Sequence, residues 1–93
     1  MSSKNPKRRE YKVYLLLPVV DKELKKLPKN IQKQIMDIIH SLKFPFQVPA
    51  IRMRNKKNTY RAKTGNYRIL YKIYIKEVIV VIIRISHRKK AYR

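Results

Sequence analysis

The stretch YRAKTGNYRILY, residues 60–71, decides the fold. Two runs of aromatic, branched and cationic residues flank Thr64, Gly65 and Asn66, and Gly65 is the only glycine in the chain. A glycine between two strand patterns supplies the positive φ that a two-residue hairpin turn demands. With Gly65 and Asn66 as the turn, Thr64 faces Tyr67, Lys63 faces Arg68 and Arg61 faces Leu70. Alternation along each strand then predicts Arg61, Lys63 and Arg68 on one face. Tyr60, Ala62, Tyr67, Ile69 and Tyr71 fall mainly on the other. Like charges directly opposed on a sheet destabilise it. A rigid element that holds three cations together with no acid among them points to an anion that belongs there.

Composition supports that reading. The 93 residues suffice for one domain with one modest core. Lys and Arg number 25 against 5 Asp and Glu, a formal net charge of +20. Such a surface favours a polyanionic partner, nucleic acid first, then an acidic protein, then an anionic membrane. There is no cysteine, which excludes disulfides and thiolate chemistry and suits a cytoplasmic home. The longest apolar run, residues 78–83, is far too short for a membrane span. The opening MSSKNPKRRE has no apolar stretch of the kind a signal peptide needs, and residues 1–10 are expected to form a flexible basic tail.

Outward from the hairpin, the remaining elements follow. Residues 11–17, YKVYLLL, read as a strand ended by Pro18. DKELKKL, residues 21–27, reads as a short helix with Leu24 and Leu27 on one face and Asp21 in the first turn. Pro28 breaks it and opens a second helix, whose Ile31, Ile35, Ile38, Ile39 and Leu42 form one broad apolar stripe. That stripe is core packing, and His40 beside it is expected at the surface or as a cap. Residues 43–50, with two prolines, form a loop. Residues 51–58 suit either a ragged strand or an exposed loop. Three strands come next, over 59–63, 66–75 and 78–85. The last is apolar through residue 83 and is expected to be central and covered on both faces. The prediction is an α+β domain over 11–93 in the order β-α-α-β-β-β. It consists of a small twisted antiparallel sheet with an N-terminal helical hairpin on one face.

The chain end, SHRKKAYR, leaves the final strand beside Arg68 and carries His87, Arg88 and Tyr92. Arginine forks fit phosphate oxygens, and a tyrosine can stack on a base. No carboxylate pair, metal-ligand cluster or glycine-rich phosphate loop is present in the sequence, so neither a metal nor a cofactor is expected. RNA, however, carries its own nucleophile. Attack of a 2′-OH on the adjacent phosphate needs a base, charge stabilisation at phosphorus and a proton for the 5′ leaving oxygen. Cations supply the second service, and a lysine among arginines, His87 or Tyr92 is a candidate base. Passive RNA binding fits the same residues.

The hairpin YRAKTGNYRILYKI and the ending SHRKKAYR, joined by the LPKNIQKQI helix joint, resemble the RelE toxins of the RelE/ParE superfamily, particularly the archaeal-type members. The likeness runs over residues 11–93. It implies a RelE-like fold and an mRNA interferase, a ribosome-dependent endoribonuclease that cuts messenger in the vacant A site. By resemblance the site would comprise Arg61, Lys63, Arg68, Arg88 and Tyr92. Lys63 would be base or charge stabiliser, and Arg68 would hold the pentavalent phosphorus. Arg88 would stabilise charge or assist the leaving oxygen, and Tyr92 would stack on a base or position the hydroxyl. Arg61 stands where some relatives have lysine and keeps a phosphate contact but not a proton-transfer role. His87 is a further candidate acid or base. Lys56, Lys57, Lys89 and Lys90 join Arg61 as expected RNA contacts. The resemblance also implies a RelB-type antitoxin that assembles with the toxin as a heterotetramer, with the ribosome and its rRNA as the other partner. The rival readings are a catalytically inactive member that binds RNA or antitoxin, a ParE-like gyrase toxin of the same fold, and a general nucleic-acid packer.

Overall fold

The computed structural model describes residues 7–87. Its elements in chain order are β1 (Lys12–Leu15), α1 (Val19–Lys25), α2 (Lys29–Ser41), a 3-10 turn (Pro45–Gln47), β2 (Ile51–Arg52), β3 (Thr59–Thr64), β4 (Tyr67–Tyr74) and β5 (Ile79–His87). No described helix is long and apolar enough to cross a membrane. The first fully buried residue is Tyr11, whose N–H donates to the Lys43 carbonyl at 2.7 Å. Before it, residues 7–10 are exposed turn and bend, with Gln47 Nε2 donating to the Lys7 carbonyl at 3.5 Å.

Local chemistry explains the helical half. Asp21 sits in the first turn of α1, Lys22 and Lys25 in the last, and Lys25 pairs with Asp21 at 3.0 Å one turn away. Pro28 takes an extended ψ of 150° and separates the helices. Gln32 Nε2 reaches back to the Leu27 carbonyl at 2.8 Å and closes the joint. Val20 of α1, together with Ile35, Ile39 and Leu42 of the α2 stripe, is buried in the core. Ile31 and Ile38 pack against it. His40 lies exposed in the last turn of α2.

The sheet order is β1-β5-β4-β3-β2. The β3–β4 register is the expected one, with Thr64 opposite Tyr67, Lys63 opposite Arg68 and Arg61 opposite Leu70. Gly65 turns the chain at φ +57°, the left-handed value that a glycine-first hairpin turn requires. β2 is only two residues long and pairs with β3, so the stretch 51–58 is a brief edge strand followed by a loop. Asn58 ends that loop at φ 57°, and its carbonyl accepts from Ile73 N–H. One element departs from the expected all-antiparallel sheet. β1 runs parallel to β5, Lys12 opposite Ile79 through Leu15 opposite Ile82, which makes the sheet mixed. The two strands meet only after the chain has passed through both helices and three strands. No turn between them sets their direction, and a parallel neighbour needs just such a long crossover.

β5 carries one extra residue. Tyr71 faces Ile82 but Leu70 faces Arg84, which leaves Ile83 as a bulge. The core phase on β5 therefore changes from Val80 and Ile82 to Ile85. Arg84 and Ser86 turn to the basic face, in rows with Leu70 and Arg68. The expected cover on both faces of this strand is partial. Val80 and Ile82 are fully buried, whereas Ile79, Val81 and Ile83 are half-buried.

On the core face an aromatic chain links the sheet to the loop after α2. Tyr11 meets Phe46 edge-on, Phe46 meets Tyr60 edge-on, and Tyr60 stacks on Tyr71 at 5.9 Å. The hydroxyls of Tyr11 and Tyr71 are buried with no hydrogen-bond partner among the described residues. Burial pushes the Tyr71 phenol up to about 12, with neighbouring Tyr60 adding to the effect. Burial also raises Tyr11, opposed by the charge of Arg9 and reinforced by Tyr60.

Three outcomes are expected. Ile35→Ala, at a fully buried site, should cost about 2–5 kcal/mol in urea unfolding. Gly65→Ala meets no side-chain obstruction, so its cost should be the backbone term alone, about 1–2 kcal/mol, with Gly65→Asn between the two. The folded pKa of Tyr71 is raised above the unfolded value of 10.0, so its contribution is fully present below pH 10 and is lost as pH rises towards about 12. Unfolding measured across that window should show the decline, and Tyr71→Phe should flatten it. At neutral pH Tyr71→Phe should be neutral or stabilising, because it removes an unsatisfied buried hydroxyl.

Candidate nucleic-acid interface

The basic face of the sheet is concave. Its floor consists of cross-strand rows. Arg61, Leu70 and Arg84 form one across β3, β4 and β5, and Lys63, Arg68 and Ser86 form the next. One wall is the end of α1, with Glu23, Lys26 and Leu27, and the other is the loop bearing Met53 and Lys56. These residues enclose an open concavity of about 680 Å³, ample for a nucleotide. Five cations line it, Lys26, Lys56, Arg61, Arg68 and Arg84, and Glu23 is the one carboxylate among the described lining residues.

The strands position the cations by alternation, and packing stiffens two of them. The Nε atoms of Arg61 and Arg68 are shielded from solvent, and that of Arg61 has no hydrogen-bond partner among the described residues. A guanidinium whose stem is sheltered while its fork faces a cavity is suited to gripping phosphate oxygens in pairs. Lys63 is exposed, stands opposite Arg68, and is not among the lining residues. His87 lines the cavity edge, but by register it belongs to the row of Tyr67, not that of Arg68. Its ring lies edge-on to Tyr67 at 5.0 Å. Lys56 belongs to the wall, and Lys57 faces the adjoining basic hollow with Arg52 and Arg54. Arg88, Tyr92, Lys89 and Lys90 lie outside the described residues.

The structure also places groups that the sequence reading left out. Arg84 and Ser86 enter the face through the β5 bulge, and Glu23 enters from α1. Glu23 accepts from Arg84 Nε and from the Ile85 N–H, both at 2.8 Å. These partners are 61 and 62 residues away in sequence, so no local pattern could announce them.

With the fold and the cavity described, known proteins can be compared. The family model described as the ParE toxin of type II toxin–antitoxin systems matches residues 14–92. The toxin RelG of Mycobacterium tuberculosis is 32% identical over 74 residues, which cover 77% of this chain and 85% of RelG. The toxin–antitoxin complex RelBE2 of the same organism matches with a TM-score of 0.74 at 30% identity, over 85% of this chain and 99% of that one. The archaeal RelE–RelB complex of Pyrococcus horikoshii matches with a TM-score of 0.74 at 25% identity, over 85% and 96%. The isolated RelE toxin of Escherichia coli, at 21% identity and a TM-score of 0.67, shares the fold. A family match over nearly the whole domain, relatives of RelE type and the expected α+β architecture converge, and the chain belongs to the ParE toxin family of type II toxin–antitoxin systems as a RelE-type toxin.

Proposed function

We propose that this toxin is a ribosome-dependent endoribonuclease that cuts messenger in the A site by internal attack of a ribose 2′-OH. The observation that carries the reading is the cationic floor, where Arg61, Lys63 and Arg68 stand in adjacent cross-strand positions at a concavity with a single carboxylate among its described lining residues. Such a floor has little to offer a neutral substrate and much to offer a phosphodiester whose charge grows in the transition state. The 2′ oxygen bonds to the adjacent phosphorus as its proton leaves, the bond to the 5′ oxygen breaks, and that oxygen takes a proton. The products are a 2′,3′-cyclic phosphate and a 5′-hydroxyl. Arg68 takes the charge on the non-bridging oxygens, and Arg61 fixes the phosphate. Lys63, opposite Arg68, serves as base or charge stabiliser. His87, Arg88 and Tyr92 are the remaining candidates for proton transfer and base stacking. Lys56, Lys57, Lys89 and Lys90 are the proposed outer RNA contacts. No step is routed through a metal, since the side-chain cations take the charge.

A type II toxin needs an antitoxin, and solved relatives of this chain are complexes of RelE with RelB. The proposed partner is a RelB-type antitoxin, assembled with the toxin as a heterotetramer. Its capture should be fast and salt-sensitive given the net charge of +20. The proposed setting is the cytoplasm, where ribosomes work. The family model that matches is named for ParE, which keeps action on DNA gyrase as the second reading.

The deciding experiment is primer extension on messenger held on ribosomes with an empty A site. Wild type should produce a new stop inside the A-site codon. Arg68→Ala should slow cleavage by about 10²- to 10³-fold while ribosome binding persists, and Lys63→Ala should also slow it. Absence of any stop with folded wild type on matched ribosomes would defeat the proposal. Inhibition of gyrase supercoiling in the same preparation would then favour the second reading.

A further inference from the structure

Arg84 differs from the other cations of the floor because its direction is set by a carboxylate. Glu23, on the inner side of α1, is the residue that sets it. One of its oxygens accepts from Arg84 Nε, and the other accepts from the Ile85 N–H. β1 makes its last bond to β5 when Leu16 N–H donates to the Ile82 carbonyl, so beyond that point the outer edge of β5 is open. Glu23 fills the gap, its side chain 20% exposed, and so ties helix, strand edge and guanidinium together.

Using Nε for this pair has a consequence for the rest of the guanidinium. Among the described residues Nε is the only nitrogen of Arg84 with a partner. Arg84 lines the concavity, and its side chain is 59% exposed. A guanidinium anchored through Nε keeps the outer edge of its fork for a second anion, and the anchor fixes the plane in which that edge lies. The row geometry gives its place. Arg68 pairs with Ser86, two residues beyond Arg84, so Arg68 and Arg84 are diagonal neighbours on one face. Their Cα atoms are then about 7–8 Å apart. That separation is comparable with the spacing of successive phosphates along a single strand.

We propose that Arg84 binds the phosphate adjoining the one held at Arg68, and that Glu23 is the positioning residue that aims it. The inference rests on the reading of the cavity as an RNA site. It adds a second phosphate contact and a carboxylate whose task is orientation rather than proton transfer.

Two measurements test it, on the full chain. In the first, a single-stranded RNA 12-mer with 2′-deoxy sugars, which cannot be cut by 2′-OH attack, is bound over a range of KCl concentrations. Arg84→Gln should lower the slope of log affinity against log salt by about 0.7, the loss of one phosphate contact. Lys33→Gln removes the same charge outside the cavity lining and should leave the slope unchanged. Glu23→Gln should weaken binding in wild type yet have no further effect once Arg84 is Gln, a coupling that loss of stability alone would not produce. In the second, cleavage on programmed ribosomes should show a raised KM with kcat little changed for Arg84→Gln. If wild type cleaves but Arg84→Gln alters neither KM nor salt slope, the inference is overturned while the nuclease reading stands. If wild type does not cleave but the slope falls with Arg84→Gln, the phosphate contact stands and the nuclease reading fails. A wild type that fails to bind the 12-mer at low salt, with KM unchanged by the substitution, also overturns it. So does additive behaviour of Glu23→Gln and Arg84→Gln.

Discussion

Lys63 and Arg68 face each other across two antiparallel strands, a repulsive pair in a position where most sheets place opposite charges or apolar side chains. The molecule is organised so that this pair cannot relax. Directly beneath it in the alternation, Ala62, Ile69 and Ile85 are buried, and slipping the register by one residue would carry all of them to solvent. Burial of one Ile side chain contributes about 1.5–3 kcal/mol, against a repulsion of some tenths. The core therefore wins easily, and the cations stay where an incoming phosphate meets them already ordered. Preorganisation of this kind lets charge stabilise a transition state without reorganising at the moment of reaction.

The same logic accounts for what could and could not be read in the sequence. The β3–β4 register was legible to the residue because Gly65 is the only glycine and stands between two alternating runs. The helices were legible from Pro28 and the isoleucine stripe. Legibility failed where an outcome depends on distant chain. The direction of β1 is decided by a neighbour that begins 67 residues after it, counting from Lys12 to its partner Ile79. The bulge at Ile83 was hidden because an uninterrupted apolar run carries no alternation, so a change of phase within it leaves no mark. Neither Arg84 nor Glu23 is therefore marked out by any local pattern in the sequence. The cationic floor followed from short-range rules, while the residue that trims it came from tertiary structure.

Acids are scarce in this chain, which gives the placement of each one weight. Asp21 is spent on an exposed pair within α1, with Lys25 at 44% and 74% side-chain exposure for acid and base, where such pairs contribute little. Glu23 is placed in the cavity wall, where it satisfies a backbone donor and orients a guanidinium. A carboxylate in that position offsets part of the local positive charge, but it removes rotational freedom from a long side chain, whose ordering would otherwise oppose RNA binding. The concavity thus combines cations held by strand geometry with one held by a helix.

The bulge in β5 means that core and cavity share one strand in two different phases. Residues before Ile83 bury their even members, and residues after it bury their odd members. The strand is therefore tolerant of exchange and intolerant of an added residue. Swapping one apolar side chain for another between 79 and 82 leaves every later residue facing as it did. Inserting one further residue before Arg84 would rotate Arg84 and Ser86 towards the helices and Ile85 into the cavity in a single step, whereas removing Ile83 would absorb the bulge and leave Arg84 opposite Leu70. Variation in this family's last strand should thus be read by counting residues back from the bulge, since the frame of the count, more than the letters within it, fixes which side chains meet the ligand.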